Sequence, residues 1–233
     1  MTERETRDEI ENALKRMEEP NGLDVVRVRS FFAFWEGQGS RAADSLRAAA
    51  EKDAVPIIRR DTEDLLSMLV KIAMPKRILE IGTATGFSSF VMIRSNPDAL
   101  IDTVEIDCGR AEKANAFFES EALSDRITVH TGDALSVVPE LPGPYGFVFL
   151  DGAKSEYRSL LPMILDRMQS GSILFTDNLF EKGETLDPRF GVFRRNRTIR
   201  ENLRAFLRML KEEKRLETSL LNVGDGVAVS RMV

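Results

Sequence analysis

From Arg77 onward, short apolar runs alternate with amphipathic stretches. RILEI (77–81), LIDTVEI (100–106), RITVH (126–130), GFVFLD (146–151) and SILFTD (172–177) predict buried strands. Helical patterning near 87–95, 109–122, 134–140, 155–169 and 193–215 separates or follows them. Strand alternating with helix implies an α/β fold with a mostly parallel sheet and helices on both faces. The ending differs: LETSLLNV (216–223) and VAVSRMV (227–233) flank Gly224-Asp225-Gly226 and read as a C-terminal β-hairpin. Closing the sheet with that hairpin gives seven strands. Ahead of Arg77, regions 4–18, 23–35, 40–52 and 60–73 carry helix formers, with breaks near Pro20-Asn21-Gly22, Gly37-Gln38-Gly39 and Val55-Pro56. The chain therefore divides into an N-terminal helical extension (1–75) and a core (76–233), without repeats or low-complexity tracts.

Composition narrows the chemistry. The 233 residues are 42% hydrophobic and 30% charged, as in globular proteins that bury a real core. No apolar run reaches the length of a membrane span, and the charged N-terminus does not read as a secretory signal. With a single cysteine, Cys108, no intramolecular disulfide can form, so a reducing cytoplasm is the expected location. The single histidine, His130, removes nitrogen- or thiolate-rich zinc and iron sites within one chain. Any metal would be a hard ion held by oxygens. The net charge of −5 argues against indiscriminate nucleic-acid binding.

The strand ends carry the candidate chemistry. In ILEIGTATGFSS, Gly82 and Gly86 mark the turn from the first strand into a helix, where open α/β sheets bind ligands. A dinucleotide fingerprint fails because Ala84 and Phe87 occupy its later glycine positions, and no Gly-Lys-Ser/Thr follows for a P-loop. What remains is Glu80-x-Gly82-x-x-x-Gly86, a turn that lets backbone approach a ligand without a phosphate cradle. Glu105 ends the second strand, where a carboxylate can accept both ribose hydroxyls, and Asp133 follows the third, within reach of an adenine ring. Taken singly, each acid is more often a helix N-cap. Together they suit a nucleoside carrying a sulfonium and no phosphate, which is S-adenosylmethionine.

ILFTDNLF (173–180) places Asp177 and Asn178 inside an apolar run, where unpaired polar groups are costly. Asp151 ends the preceding strand. Adjacent parallel strands would bring Asp151, Asp177 and Asn178 onto one rim, a set that suits Mg²⁺ (or Mn²⁺ or Ca²⁺). Such an ion can acidify a substrate hydroxyl, and Lys154 is placed to take or stabilise the proton. The competing reading makes both aspartates caps and Lys154 a surface lysine.

These residues together resemble the cation-dependent O-methyltransferases of the catechol and caffeoyl-CoA type. The likeness runs over roughly 40–233, through VPII (55–58), ILEIGTATGFSS, TVEID (103–107), GDAL (132–135), FLDGAK (149–154), FTDN (175–178) and VGDGVAVS (223–230). It looks closest to the bacterial branch that methylates 5-hydroxyuridine at the tRNA wobble position, sharing a TDN followed by Lys182-Gly183 and an arginine cluster before the last long helix. The resemblance implies a Rossmann-like, seven-stranded S-adenosylmethionine-dependent methyltransferase sheet in a homodimer. It implies metal ligands at Asp151, Asp177 and Asn178, and a catalytic lysine at Lys154. The implied cofactor contacts are Ile58, Ser88, Glu105, Ala134 and Asp151, with Glu80, Gly82 and Asp133 lining the site. Ala84 stands where the family commonly has glycine, and 29–39 has no recognised counterpart.

Three substrate readings follow: the expected one is 5-hydroxyuridine in a tRNA anticodon loop, methylated to 5-methoxyuridine, and the alternatives are a small hydroxylated molecule such as a catechol or a cofactor-binding module without chemistry. An intact metal and lysine set disfavours the last. Residues 187–215 carry ten Lys or Arg against four Asp or Glu. Arg197, Arg200, Arg204 and Arg208 recur at helical spacing, preceded by Arg194 and Arg195, with Phe190 and Phe193 nearby as base-stacking groups. Arg194, Arg195, Arg197 and Arg200 are the candidate RNA contacts. The alternative is a solvated helix face.

Overall fold

The computed structural model describes residues 41–52, 55–187 and 196–233. The helices expected at 4–18 and 23–35, the segment 29–39, Phe190, Phe193, Arg194 and Arg195 lie outside the described residues. Residues 39–233 form one compact unit. The boundary drawn at 75/76 falls inside it.

The helices of this unit are α1 (Arg41–Lys52), α2 (Arg60–Ala73), α3 (Phe87–Ser95), α4 (Cys108–Ser120), α5 (Ala134–Val137), α6 (Tyr157–Leu165) and α7 (Arg197–Glu212). The strands are β1 (Arg77–Ile81), β2 (Leu100–Glu105), β3 (Ile127–Thr131), β4 (Tyr145–Leu150), β5 (Met168–Thr176), β6 (Leu216–Leu221) and β7 (Val227–Met232). They form one sheet in the order β3-β2-β1-β4-β5-β7-β6. The first five are parallel, while β7 runs antiparallel to both β5 and β6. This is the expected α/β sheet with its C-terminal hairpin.

Burial explains the layers. Leu79, Ile81, Val148 and Leu150 point into one core with α6 and α7, whereas Ile78, Phe147, Phe149 and Phe175 point into the other with α2, α3 and α4. In α2 the buried Thr62, Leu66 and Val70 recur every four residues, one stripe of a 3.6-residue helix. That helix stops at Met74, whose left-handed backbone returns its N–H to the Val70 carbonyl just before Pro75.

The strand β5 begins at Met168, four residues before the expected Ser172. Tyr145 pairs with Met168, but Phe147 pairs with Ile173, so the β5 chain bulges between them. The Ser172 hydroxyl bridges the irregularity: it accepts the Gln169 N–H at 3.1 Å and donates to the Tyr145 carbonyl at 2.8 Å. A polar, glycine-containing stretch (QSGS) hides the start of the strand from hydrophobic patterning.

Strand order reverses between β1 and β4. Ligands of open α/β sheets bind at such a switch point, outside the carboxyl ends of the strands. Gly82 and Asp151 are the residues that leave β1 and β4 there.

Candidate active site

Gly82 is held by its N–H on the Val104 carbonyl (3.0 Å), and Asp151 by its N–H on the Ile81 carbonyl (2.9 Å). The two loops are pressed together: a Cβ on Gly82 would overlap the Asp151 carbonyl, and φ is +103°. Only glycine fits, because the backbone of the loop after β4 takes the space that the sequence pattern leaves for a ligand. Ala84, in the same turn, takes a left-handed φ of 48°.

Glu80 is fully buried, and the hydroxyls of Ser88, Ser89 and Thr103 all donate to its carboxylate. Burial pushes its pKa up to about 7 against the pull of those donors. Ser88, expected at the cofactor, therefore spends its hydroxyl on Glu80. Glu105 is also buried, and its two oxygens each accept a backbone N–H, from Ala84 at 2.8 Å and Asp107 at 2.9 Å. A carboxylate offers about four lone-pair positions, so acceptor capacity remains for a ligand. Asp133 caps α5 through the Leu135 N–H at 2.8 Å, and Ala134 is buried beside it. Ile58 is buried against α3, its carbonyl accepting from Arg47 at 3.2 Å.

The other half of the edge is built differently. Asp177 follows β5 with its N–H on the Leu150 carbonyl (3.1 Å), which carries the β4–β5 pairing to its end. Its side chain is buried and accepts the Asn178 N–H at 2.7 Å. Burial, and then the charge of Asp151, raises its pKa to about 7. Asn178 takes a left-handed φ of 57°, and its amide nitrogen donates to Asp151 Oδ1 at 3.0 Å. Lys154 Nζ donates to the same oxygen at 3.0 Å and to the Tyr157 hydroxyl at 3.3 Å. Burial by itself would lower the lysine pKa; Tyr157 and Asp151 more than offset it, so the ammonium is held above its ordinary range. Lys154 is thus a fixed cation in this arrangement, suited to stabilising negative charge rather than to accepting a proton. Tyr157 escaped the sequence reading, although it lies three residues after Lys154 and so within one helical turn.

Asp151, Asp177, Asn178 and Lys154 meet at the ends of β4 and β5. A buried carboxylate, Asp177, whose proton affinity is raised by burial and by the charge of Asp151 beside it, has the chemistry to take a hard cation. The amide of Asn178, turned over, adds an oxygen to the two carboxylates. Among the described residues no group of three His, Cys, Asp or Glu gathers, here or elsewhere, so this rim offers two carboxylates and one amide. His130 bonds Asp102 at 2.9 Å in a separate cluster with Tyr145 and Arg77.

The arginine row of α7 needs correction. Arg200 is 8% exposed and donates twice to the Asp187 carbonyl, at 2.9 and 2.6 Å. It lies on the apolar stripe with Leu203, Phe206 and Leu210, and cannot serve as a phosphate contact. Arg204 donates to the Thr185 carbonyl at 3.2 Å. These side chains clasp the segment after Asn178. Arg204, Arg208 and Lys211 also border a cavity of about 720 Å³ between α7 and β6, which none of the strand-end carboxylates lines.

A profile of the O-methyltransferase family matches residues 40–233, and the chain belongs to that family. It is therefore an enzyme of the class that transfers methyl groups to oxygen. It is 27% identical to catechol O-methyltransferase of Niastella koreensis, over 66% of this chain and 71% of that one. It is 28% identical to caffeoyl-CoA O-methyltransferase 2 of Petunia hybrida, over 74% and 75%. The solved structure of the O-methyltransferase TomG from Streptomyces achromogenes, involved in tomaymycin synthesis and bound to S-adenosylmethionine, has a TM-score of 0.77 at 23% identity, covering 89% and 96%. Among the described residues no helix is long and apolar enough to cross a membrane.

Proposed function

We propose that the protein transfers the methyl group of S-adenosylmethionine to one of two neighbouring oxygens of a small hydroxylated substrate, with a divalent cation at Asp151, Asp177 and Asn178. The observation that carries this reading is the buried Asp177 facing the half-buried Asp151 at the β4 and β5 ends, set at the sheet's switch point beside a charged lysine. The cofactor reading draws support from the Gly82 turn, from the acceptor capacity left on Glu105, and from the S-adenosylmethionine complex of TomG. In it, Glu105 accepts the ribose hydroxyls, and Gly82, Ile58, Ser88, Asp133 and Ala134 wall the site. A bound cation supplies Lewis acidity that lowers the pKa of a substrate hydroxyl. Lys154 contributes fixed positive charge beside the oxygen that attacks the methyl carbon as the sulfonium leaves as a thioether. Tyr157 holds Lys154 in register.

The wobble 5-hydroxyuridine of tRNA presents the same pair of neighbouring oxygens and stays as the second reading, on the resemblance described above. Its arginine row is weakened by the burial of Arg200 and the backbone tether of Arg204, which is why the small-molecule reading stands first. Incubation with S-adenosylmethionine and Mg²⁺, followed by mass spectrometry, separates the two. A methylated catechol or caffeoyl thioester supports the first. Methylation confined to tRNA bearing 5-hydroxyuridine supports the second.

A further inference from the structure

The backbone after Asp177 is held in a costly conformation. Asn178, Glu181 and Lys182, none of them glycine, have φ of 57°, 45° and 57°. Left-handed backbone costs about 1–2 kcal/mol for each such residue, so it persists only where neighbouring groups enforce it. The enforcing group is the Gly224-Asp225-Gly226 turn of the C-terminal hairpin. The Leu179 N–H donates to the Gly226 carbonyl at 2.9 Å, and the Phe180 N–H to the Asp225 carbonyl at 2.8 Å. Both carboxylate oxygens of Asp225 accept the Lys182 N–H, at 3.0 and 2.7 Å. Gly226 has φ +84°, and a Cβ there would run into the Phe180 ring. The turn is itself anchored from α2: Asp61 accepts the Gly224 N–H at 2.9 Å, and Arg59 donates to the Gly224 carbonyl at 3.0 Å.

We infer that Asp225 is a positioning residue for the cation site, its carboxylate pinning the left-handed segment that aims Asn178 at Asp151. Of the hydrogen bonds described between turn and segment, that of the Asp225 carboxylate is the one made by a side chain, so substitution can remove it while leaving the backbone pairs. This inference rests on the proposed cation site and adds a residue that does not itself bind the ion. The charge of Asp225 also reaches Asp177, so loss of cation affinity could in principle arise through charge alone. The two causes separate at Lys182. A glycine there adopts left-handed backbone without a Cβ penalty and so replaces the pin, while Lys182→Ala removes the same positive charge and keeps the Cβ, which controls for charge.

The test is direct Mn²⁺ binding, read by electron paramagnetic resonance, on the full chain without substrate. Wild type binds; Asp225→Ala weakens binding about 10–100-fold, the usual range for groups that orient metal ligands. Asp225→Asn, which keeps one acceptor oxygen, falls between them and also serves if Asp225→Ala fails to fold. Asp225→Ala/Lys182→Gly recovers most of the affinity, Asp225→Ala/Lys182→Ala does not, and S-adenosylmethionine affinity is the same in all five proteins. Wild-type binding with unchanged affinity in both Asp225 variants overturns the inference alone. So does equal recovery by Lys182→Gly and Lys182→Ala, which assigns Asp225 a purely electrostatic role. A wild-type protein that takes up no Mn²⁺ overturns the cation reading itself, and this inference with it.

Discussion

The two halves of the carboxyl edge carry the same residue types in opposite states. At the ends of β1, β2 and β3, Glu80, Glu105 and Asp133 are met by donors of the chain itself: three hydroxyls, two backbone amides and a cap amide. At the ends of β4 and β5, Asp151 and Asp177 oppose one another, with one lysine and strained backbone to hold them. A carboxylate met by several donors of its own chain serves the fold and can still greet a ligand. Asp177, buried beside Asp151 with the Asn178 N–H as its donor, keeps acceptor capacity for a cation. Position at a strand end is common to both halves; only the surrounding donors tell them apart.

The largest effect should come from the strained half. Asp177→Ala should lower methyl transfer by about a thousandfold or more, since Lewis-acid stabilisation is worth several kcal/mol. Asp133→Ala, across the edge, should cost about 1 kcal/mol of stability as a lost cap. Steady-state rates and urea melts on the two variants check the contrast; similar rates in both would erase it.

Next comes Lys154→Met, which removes a fixed donor beside the reacting oxygen. Turnover should fall about a hundred- to a thousandfold with cofactor affinity unchanged. A parallel fall in cofactor affinity would move the lysine into the other half.

The satisfied half has its own signature in pH. Folding raises the pKa of Glu80 from 4.5 to about 7, so the folded protein holds a proton there that the unfolded chain has released. Its stabilising contribution is complete below pH 4.5, is lost as pH rises toward 7, and is flat above. Relative to Glu80→Gln, wild type without metal should lose on the order of 3 kcal/mol across that window. Urea unfolding at several pH values measures it; parallel curves would mean that Glu80 is ionised throughout.

The smallest expected effect is at Glu105. Glu105→Ala should weaken S-adenosylmethionine binding by about 1–3 kcal/mol in calorimetry, through lost hydrogen bonds to a charged acceptor. Equal affinities would place the ribose elsewhere.

How much of this could be read in the sequence follows from the range of each interaction. Apolar runs ending in an acid placed Asp151 and Asp177, because burial and chain reversal are local properties. The same logic could not say that Asp133 is satisfied by its own helix while Asp177 is left opposing Asp151, since that depends on which strands are neighbours. Arg200 shows a different failure. Helical spacing grouped it with Arg197, Arg204 and Arg208, yet Leu203 and Leu207, three and seven residues on, put it equally on the apolar stripe. The aliphatic stem suits that stripe, and the Asp187 carbonyl receives the charged end. Asp225 was legible only as a turn residue, because its partner Lys182 is 43 positions away.

The most direct test of the account is methyl transfer from S-adenosylmethionine to catechol, with phenol as the single-oxygen control, in Mg²⁺ and in excess chelator. The paired-carboxylate account predicts a methylated catechol with Mg²⁺, none in chelator, restoration by added Mg²⁺ or Mn²⁺, and no product from phenol. Catechol methylation at the same rate in excess chelator would contradict it.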